Sequence, residues 1–535
     1  MTVELYRWQV DALESWLRCG RRGVIEAVTG SGKTDVAIAA VADALDRGRF
    51  VLVLVPSRVL LEQWHGRLTA ALPGRVIGRL GDSGRDRPDT CDVLVSTRHS
   101  AVAYRPVPPE GQGGLLVADE CHGLGGGTLR RAMMPQYEER LGLTATLERA
   151  DDAVADLLVP YFGGVCFRYG FEQAIADGVC ARPRVAFVGV PLTAEERRDY
   201  IATEQQLVGA RAHLRMIRGM PLDPFGDFLA AVAHLADRDG GPDGRAAREY
   251  LDAFAKRRQI VAQSSGKYDM LGRLAPALAS AHGALLFTET VRGANHAINR
   301  LDPHVSIELI TGSTARGRRT TILEDLRSRA LDVVAAPRVL DEGIDVPDAN
   351  LGIVMSASRT RRQMIQRMGR ILRRKRPGVG ARFVIMYAKD TLEDPSTRIE
   401  RDGFLDEIER ISEATGIFDP DHFDELDAFL EYPGPAFVPE PERVTRAAQA
   451  ERLAAVEVPP VERAADRYLE LEVAELPEIA APKVPPKRLS NGEAPLEIAA
   501  LDSGWQIRCT GCGEASVLVQ FRWQVLDQTV NCRCA

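Results

Sequence analysis

The stretch Ala27-Val28-Thr29-Gly30-Ser31-Gly32-Lys33-Thr34 constrains this chain more than any other. One apolar run precedes it at residues 23–25, and a second follows at 36–41. The order is strand, glycine-rich turn, helix, which commits this part of the chain to an α/β sheet. Gly30 and Gly32 let the backbone turn its N–H groups inward around a polyphosphate, and the next helix presents its positive end to the same anion. Thr29, Gly30, Ser31 and Gly32 would line that cradle. Lys33 would reach the outer phosphates of a nucleotide such as ATP, and the Thr34 hydroxyl would ligate Mg2+. The alternative is an ordinary glycine turn that happens to precede a lysine. A full phosphate-loop pattern would carry glycine where this chain has Ala27.

The same grammar of apolar strand and polar tip recurs downstream. Residues 50–55 read as a buried parallel strand ending in Pro56-Ser57-Arg58, and residues 92–95 end in Ser96-Thr97-Arg98. Ligands of such sheets bind at these strand ends. Residues 114–118 lead into Asp119-Glu120-Cys121-His122. Two carboxylates at the tip of a strand parallel to the phosphate-loop strand divide the work: Asp119 holds Mg2+, and Glu120 orients and deprotonates the attacking water. The alternative is a solvated acidic turn. Ahead of the loop, Gln9 is placed to meet an adenine edge with Trp8 beside it, though Trp8 serves equally well as a core anchor.

Strands resume at 184–190, 284–287, 307–310 and 331–336, the later ones tipped by Thr288-Glu289-Thr290 and Thr311-Gly312. Residues 192–264 show few strand signals and read as inserted helical hairpins, or else as a solvated helical linker. A helix then carries Arg367, Arg370 and Arg373 at intervals of three, along one face.

The length of 535 residues suggests about three domains. The net charge of −7 conceals an asymmetry: residues 401–500 hold 23 acidic and 10 basic groups, whereas the first 400 hold 55 basic and 49 acidic. A mildly basic body allows a polyanionic partner. No apolar run reaches membrane-span length and the N-terminus lacks a signal-peptide plan, so a cytoplasmic protein with no membrane partner is expected.

Taken together, Lys33-Thr34, Pro56-Ser57-Arg58, Asp119-Glu120-Cys121-His122 and Thr144-Ala145-Thr146 resemble motifs I, Ia, II and III of superfamily 2 helicases, in order and spacing. Leu340-Asp341-Glu342-Gly343-Ile344-Asp345 resembles motif V, and Gln366-Arg367-Met368-Gly369-Arg370-Ile371-Leu372-Arg373 resembles motif VI. Within that superfamily, residues 5–390 are similar to the XPB-like branch, by Gly142-Leu-Thr-Ala-Thr-Leu with Glu148-Arg149, by the thumb-like position of the insertion, and by the Gln366 form of motif VI.

The resemblance implies an α/β fold of two tandem RecA-like parallel-sheet domains with a helical insertion. The expected bounds are 1–175 for the first domain and 176–400 for the second, with the thumb-like insertion at 192–264. It implies Arg370 and Arg373 as arginine fingers, Asp345 and Gln366 at the nucleotide, and Thr144 and Thr146 in coupling. Ser57, Arg58, Thr97, Arg98, Thr288, Thr311 and Gly343 would grip the sugar-phosphate backbone. Three departures are visible: Tyr6 stands where the family's opening motif has arginine, Arg149-Ala150-Asp151 replaces the Arg-Glu-Asp element, and no damage-recognition-like domain is expected ahead of residue 5.

Residues 401–490 are acidic and rich in proline, and read as a linker with one short helix near 461–471. Beyond it, residues 491–535 hold Cys509, Cys512, Cys532 and Cys534 on either side of a strand-like run. Four thiolates on two turns suit tetrahedral Zn2+ in a small zinc-ribbon-like unit, and free thiols are the alternative. The expected function is an ATP-dependent DNA helicase or translocase in DNA repair or genome maintenance, with RNA not excluded and a protein partner at the tail. The alternatives are the motor subunit of a restriction or phage-defence complex, and an ATP-gated nucleic-acid clamp that does not unwind.

Overall fold

The computed structural model describes residues 4–81, 84–147, 153–217, 220–222, 225–301, 305–337, 349–356, 368–369, 371–397, 403–460, 496–501 and 504–509. The chain divides into two compact units, residues 1–470 and 471–535. Among the described residues, no helix is long and apolar enough to cross a membrane.

The first unit contains two sheets. In chain order the strands of the first are β1 (Arg22–Ala27), β2 (Phe50–Val55), β3 (Ile77–Gly81), β4 (Gly84–Arg85), β5 (Val93–Thr97), β6 (Gly114–Asp119), β7 (Glu139–Thr144) and β8 (Val165–Tyr169). They lie side by side as β4-β3-β5-β2-β6-β7-β1-β8, parallel throughout apart from the short β3–β4 pair. The central strands FVLVLV and GLLVAD are buried at every position, as expected for strands covered by helices on both faces. Register then fixes the tips: Asp119 at the end of β6 pairs with Leu143 on β7, and Thr144 pairs with Glu26 on β1.

The second sheet is built from β9 (Pro183–Val190), β10 (Ala284–Thr288), β11 (Ile307–Leu309), β12 (Val333–Pro337), β13 (Leu351–Val354), β14 (Ala381–Ala388) and β15 (Ala414–Phe418). Their order is β11-β12-β10-β13-β14-β9-β15, all parallel. Between β9 and β10 come the helices Ala194–Arg215, Phe225–Arg238 and Pro242–Ala262. They pack on one another through Leu207, Leu214, Phe228, Val232, Ala247 and Tyr250. Thr193 caps the first of them, and Glu196 accepts from the Thr193 amide and, through its other oxygen, from the amide of Ser265. One carboxylate thereby pins the start of the insertion to its end.

Within the linker expected at 401–490, the described residues are instead folded from Gly403 as far as Val456. Gly403–Ile411 and Phe423–Leu430 are helices, and β15 between them extends the second sheet beside β9. The chain then returns to the first sheet as a strap. Tyr6 and Arg443 form an isolated antiparallel bridge, and the helix Arg446–Ala454 lies on the opening helix Arg7–Arg18. Arg452 donates to Asp11 at 2.6 Å and to Glu14 at 2.6 Å, and Arg443 lies over the Tyr6 ring at 4.4 Å. Pro433, Pro435, Pro439 and Pro441 keep the start of the strap out of helix and sheet, while Val444, Leu453, Val456 and Val458 further along it pack on the core. The helix anticipated at 461–471 lies outside the described residues. In the second unit, β16 (Leu496–Leu501) and β17 (Gly504–Cys509) form an antiparallel pair.

Candidate active site

Gly30 and Gly32 have φ of +88° and +97°, the left-handed region that the turn after β1 requires and that side chains oppose. Gly32 caps the helix Lys33–Asp46. Ala27 ends β1 in register with Tyr169 and is outside the positive-φ set, so alanine costs the loop nothing there. Lys33 Nζ donates to the Ala27 carbonyl at 2.7 Å, and Ser31 Oγ to that of Val28 at 2.8 Å. Thr29 Oγ1 is buried with no hydrogen-bond partner, and Thr34 is half-buried in the first turn of the helix. Gln9, itself buried, donates through Nε2 to the Gly32 carbonyl at 2.9 Å and accepts from the Tyr6 amide at 2.8 Å. Its amide therefore ties the opening helix to the loop. Trp8 is a core anchor, stacked on Tyr169 with centroids 4.3 Å apart.

One strand away across β7, Asp119 receives the Trp64 indole N–H at 2.8 Å on Oδ2 and the Glu120 amide at 3.0 Å on Oδ1. Burial raises the Asp119 carboxyl above its ordinary range, and the neighbouring Glu120 charge adds to the effect. Glu120 has φ of +50°, uncommon for a residue with a side chain, and its Oε2 is buried without a hydrogen bond. His122 Nδ1 is 3.5 Å from that oxygen and 3.0 Å from Thr144 Oγ1. Thr144 spends its own hydroxyl hydrogen on the Thr146 carbonyl at 2.7 Å, so His122 must donate through Nδ1–H. A single imidazole thus joins the carboxylate turn to the Thr144–Thr146 turn.

The second sheet contributes from above. A β-carbon on Gly30 would fall 2.8 Å from the Gly369 carbonyl and 3.0 Å from Arg373 Cγ, so the Gly369–Arg373 segment rests directly on the loop. Cys180 bridges to Arg373 and the Ala181 amide donates to the Leu372 carbonyl at 2.7 Å, which anchors that segment. Arg370, Gln366, Asp345 and Gly343 lie outside the described residues, as does the Arg149-Ala150-Asp151 element.

The residues expected on a nucleic-acid backbone occupy other strand ends. Ser57 caps the helix after β2 by accepting from the Leu60 amide at 3.3 Å, with exposed Arg58 next to it. Thr97 at the end of β5 caps the next helix through the Ser100 amide. Thr288 closes β10 and donates to the Thr290 carbonyl at 3.1 Å, while Thr311 follows β11 and donates its amide N–H to Thr314 Oγ1 at 2.9 Å. Strand order thus separates two halves of the first sheet's edge: β6, β7 and β1 carry the phosphate-loop and carboxylate residues, and β5 and β2 carry Thr97 and Ser57-Arg58. Arg98 departs from expectation. It is buried, and its guanidinium donates to the backbone carbonyls of Asp119, at 2.7 Å, and of Glu120.

Sequence reasoning passed over Trp64 and His122. Trp64 sits on an apolar helix face, where an indole reads as core; its N–H, which needs a partner when buried, was the available signal. Cys509 ends β17, and Cys512, Cys532 and Cys534 lie outside the described residues; among the described residues no cluster of metal-ligating side chains was found.

Residues 2–149 match the family described as type III restriction enzyme, res subunit, and residues 266–375 match the helicase conserved C-terminal domain. The chain is 32% identical over 379 residues to the DNA 3'-5' translocase XPB2 of Sulfurisphaera tokodaii, covering 70% of this chain and 79% of that one. It is 30% identical over 383 residues to the putative DNA 3'-5' helicase Rad25 of Halobacterium salinarum, covering 70% of this chain and 53% of the relative, about half its length. Among solved structures, S. cerevisiae Dbp5 bound to RNA and ADP BeF3 superposes with a TM-score of 0.52 over 80% of this chain and 93% of that one, at 14% identity, a likeness of fold. By these matches the chain belongs to the XPB/Rad25-like branch of the superfamily 2 helicases.

Proposed function

We propose that this chain is an ATP-driven motor that moves along DNA in the 3'-to-5' sense and separates strands as it does so. The single observation that carries this reading is the seating of Gly369 and Arg373 on the Thr29–Gly30 loop, beside Asp119 and Glu120. It makes the nucleotide site a joint product of both sheets, so closing and opening of the two accompany turnover. The DNA substrate and the polarity are carried over from the names of the XPB2 and Rad25 relatives.

The residues suit a nucleoside triphosphate and a divalent cation. The two left-handed glycines leave a cradle that β-carbons would fill, and buried Glu120 Oε2 and Thr29 Oγ1 make no hydrogen bond. Lys33 would exchange its bond to the Ala27 carbonyl for the outer phosphates. Thr34 and Asp119 would hold Mg2+, which supplies charge neutralisation at the polyphosphate. Glu120 orients water and accepts its proton, and Arg373, with Arg370, stabilises charge on the transferred phosphoryl group. Ser57, Arg58, Thr97, Thr288, Thr311 and Gly343 grip the DNA backbone, and such contacts are sequence-independent and weaken with salt. The C-terminal unit, with Zn2+ on its four cysteines, recruits a protein partner, and the protein works in the cytoplasm.

The test measures ATP hydrolysis with single-stranded DNA, duplex DNA and RNA, beside strand displacement on duplexes with 3' or 5' tails. Stimulation by DNA with displacement from the 3' tail supports the reading. DNA-stimulated hydrolysis with neither displacement nor movement would identify an ATP-gated clamp.

A further inference from the structure

We propose that Arg98 is a positioning residue that transmits DNA engagement at the Ser96–Ser100 turn to the hydrolytic carboxylates by holding the Asp119–Glu120 backbone; this rests on the function proposed above. Arg98 lies at the junction of two systems. It is the first residue of the short helix that Thr97 caps, at a strand end on the backbone-gripping half of the sheet edge. Its guanidinium crosses to the other half and donates to two successive carbonyls, of Asp119 and Glu120. A buried arginine so engaged is neither a solvated face nor available to a phosphate.

The Glu120 backbone needs such a hold. Its left-handed conformation is unfavourable for a side-chain-bearing residue and persists only where surroundings fix it. Glu120 Oε2 makes no hydrogen bond, and His122 Nδ1 stands off at 3.5 Å. The backbone therefore contributes to the aim of this carboxylate, and Arg98 holds that backbone at the Glu120 carbonyl itself. The following residues are shaped around the same guanidinium: a β-carbon on Gly123 would fall 2.0 Å from Arg98 Nη1. A shift of the Thr97–Ser100 turn on DNA thus moves the group that locates the base, whereas Lys33 and the phosphate cradle stay in place.

The experiment compares wild type with Arg98→Ala, Arg98→Lys and Gly123→Ala in the full chain. It measures kcat and KM for ATP with and without duplex DNA, the Kd for that DNA, and thermal melting. For Arg98→Ala, DNA-saturated kcat should fall about tenfold or more, with KM for ATP and Kd for DNA within about twofold of wild type, the pattern of a lost transition-state interaction. Arg98→Lys, which still reaches with one ammonium, should recover part of that kcat, and Gly123→Ala, which displaces the guanidinium, should reproduce the defect. Weaker DNA binding whose kcat is restored at saturating DNA would overturn the inference and make Arg98 a DNA contact. A uniform loss of nucleotide binding, kcat and melting temperature in all three variants would also overturn it, as structural damage. Wild-type hydrolysis that ignores DNA would instead reject the proposed function, and the inference with it.

Discussion

The carbonyl of Gly369 approaches Gly30 so closely that a β-carbon on Gly30 would lie 2.8 Å from it, and a β-carbon on Gly369 would lie 2.6 Å from the Thr29 carbonyl. Two glycines, one from each sheet, set how far the site can close. Gly369→Ala should hold the sheets apart and lower kcat/KM for ATP by about 10- to 100-fold, because misplacement of even an ångström disrupts the joint site. Steady-state kinetics beside circular dichroism check this; unchanged kcat/KM means the contact plays no part in turnover.

Lys33→Ala and Glu120→Gln should separate binding from chemistry. Removing the ammonium takes the polyphosphate's positive anchor, so fluorescent-nucleotide titration should find binding lost. Glu120→Gln keeps the anchor and loses only the base, so it should bind ATP normally and hydrolyse it on the order of 10²-fold more slowly. Near-wild-type turnover in Glu120→Gln assigns the base elsewhere.

Arg373→Ala should leave nucleotide affinity nearly intact and cut DNA-stimulated hydrolysis by on the order of 10³-fold, since an arginine finger acts on transition-state charge. Normal hydrolysis combined with poor DNA binding would make this segment a nucleic-acid face.

The strap should respond to acid. Burial raises the Glu14 carboxyl, but hydrogen bonds from Arg452 and Arg18 outweigh it and hold the group below its ordinary 4.5. Its contribution to stability is therefore fully present above pH 4.5 and is lost as pH falls through the lower folded value. Arg452→Ala should cost about 1 kcal/mol at neutral pH, the scale of a half-exposed charge network. Melting curves of variant and wild type should converge below that range; a gap that persists unchanged in acid would mean that other groups hold the strap.

If Cys509, Cys512, Cys532 and Cys534 ligate zinc, purified protein should carry about one Zn2+ per chain, and chelation should unfold the small C-terminal unit alone. Elemental analysis that finds none rejects the site. Hydrolysis by the protein truncated at residue 490 should survive.

The strands and their tips were legible because runs such as residues 50–55 and 114–118 are apolar throughout and each ends in residues with one chemical use. Arg98 was not. An arginine after Ser-Thr at a strand end reads as a phosphate contact, and its burial depends on a turn some twenty residues away that leaves room at Gly123. The strap was missed for a related reason. Pro433, Pro435, Pro439 and Pro441 exclude helix and central strand, but they do not exclude extended packing, and the complementary charges Asp11 and Glu14 lie at the far end of the chain. β15 was hidden by its half-exposure as an edge strand, with Ile417 facing outward.

The strap has a consequence for biosynthesis. Arg452 and Glu14 are 438 residues apart, so the outer face of the opening helix is completed by chain that emerges long after it. At about 5–20 residues per second, the ribosome needs on the order of tens of seconds to deliver it. Throughout that interval the helix that positions Gln9 on Gly32 has its own core contacts but not its clasp. The nascent first sheet therefore stands through that interval with the outer face of its opening helix bare, and that helix gains its clasp only after every strand of both sheets has been made.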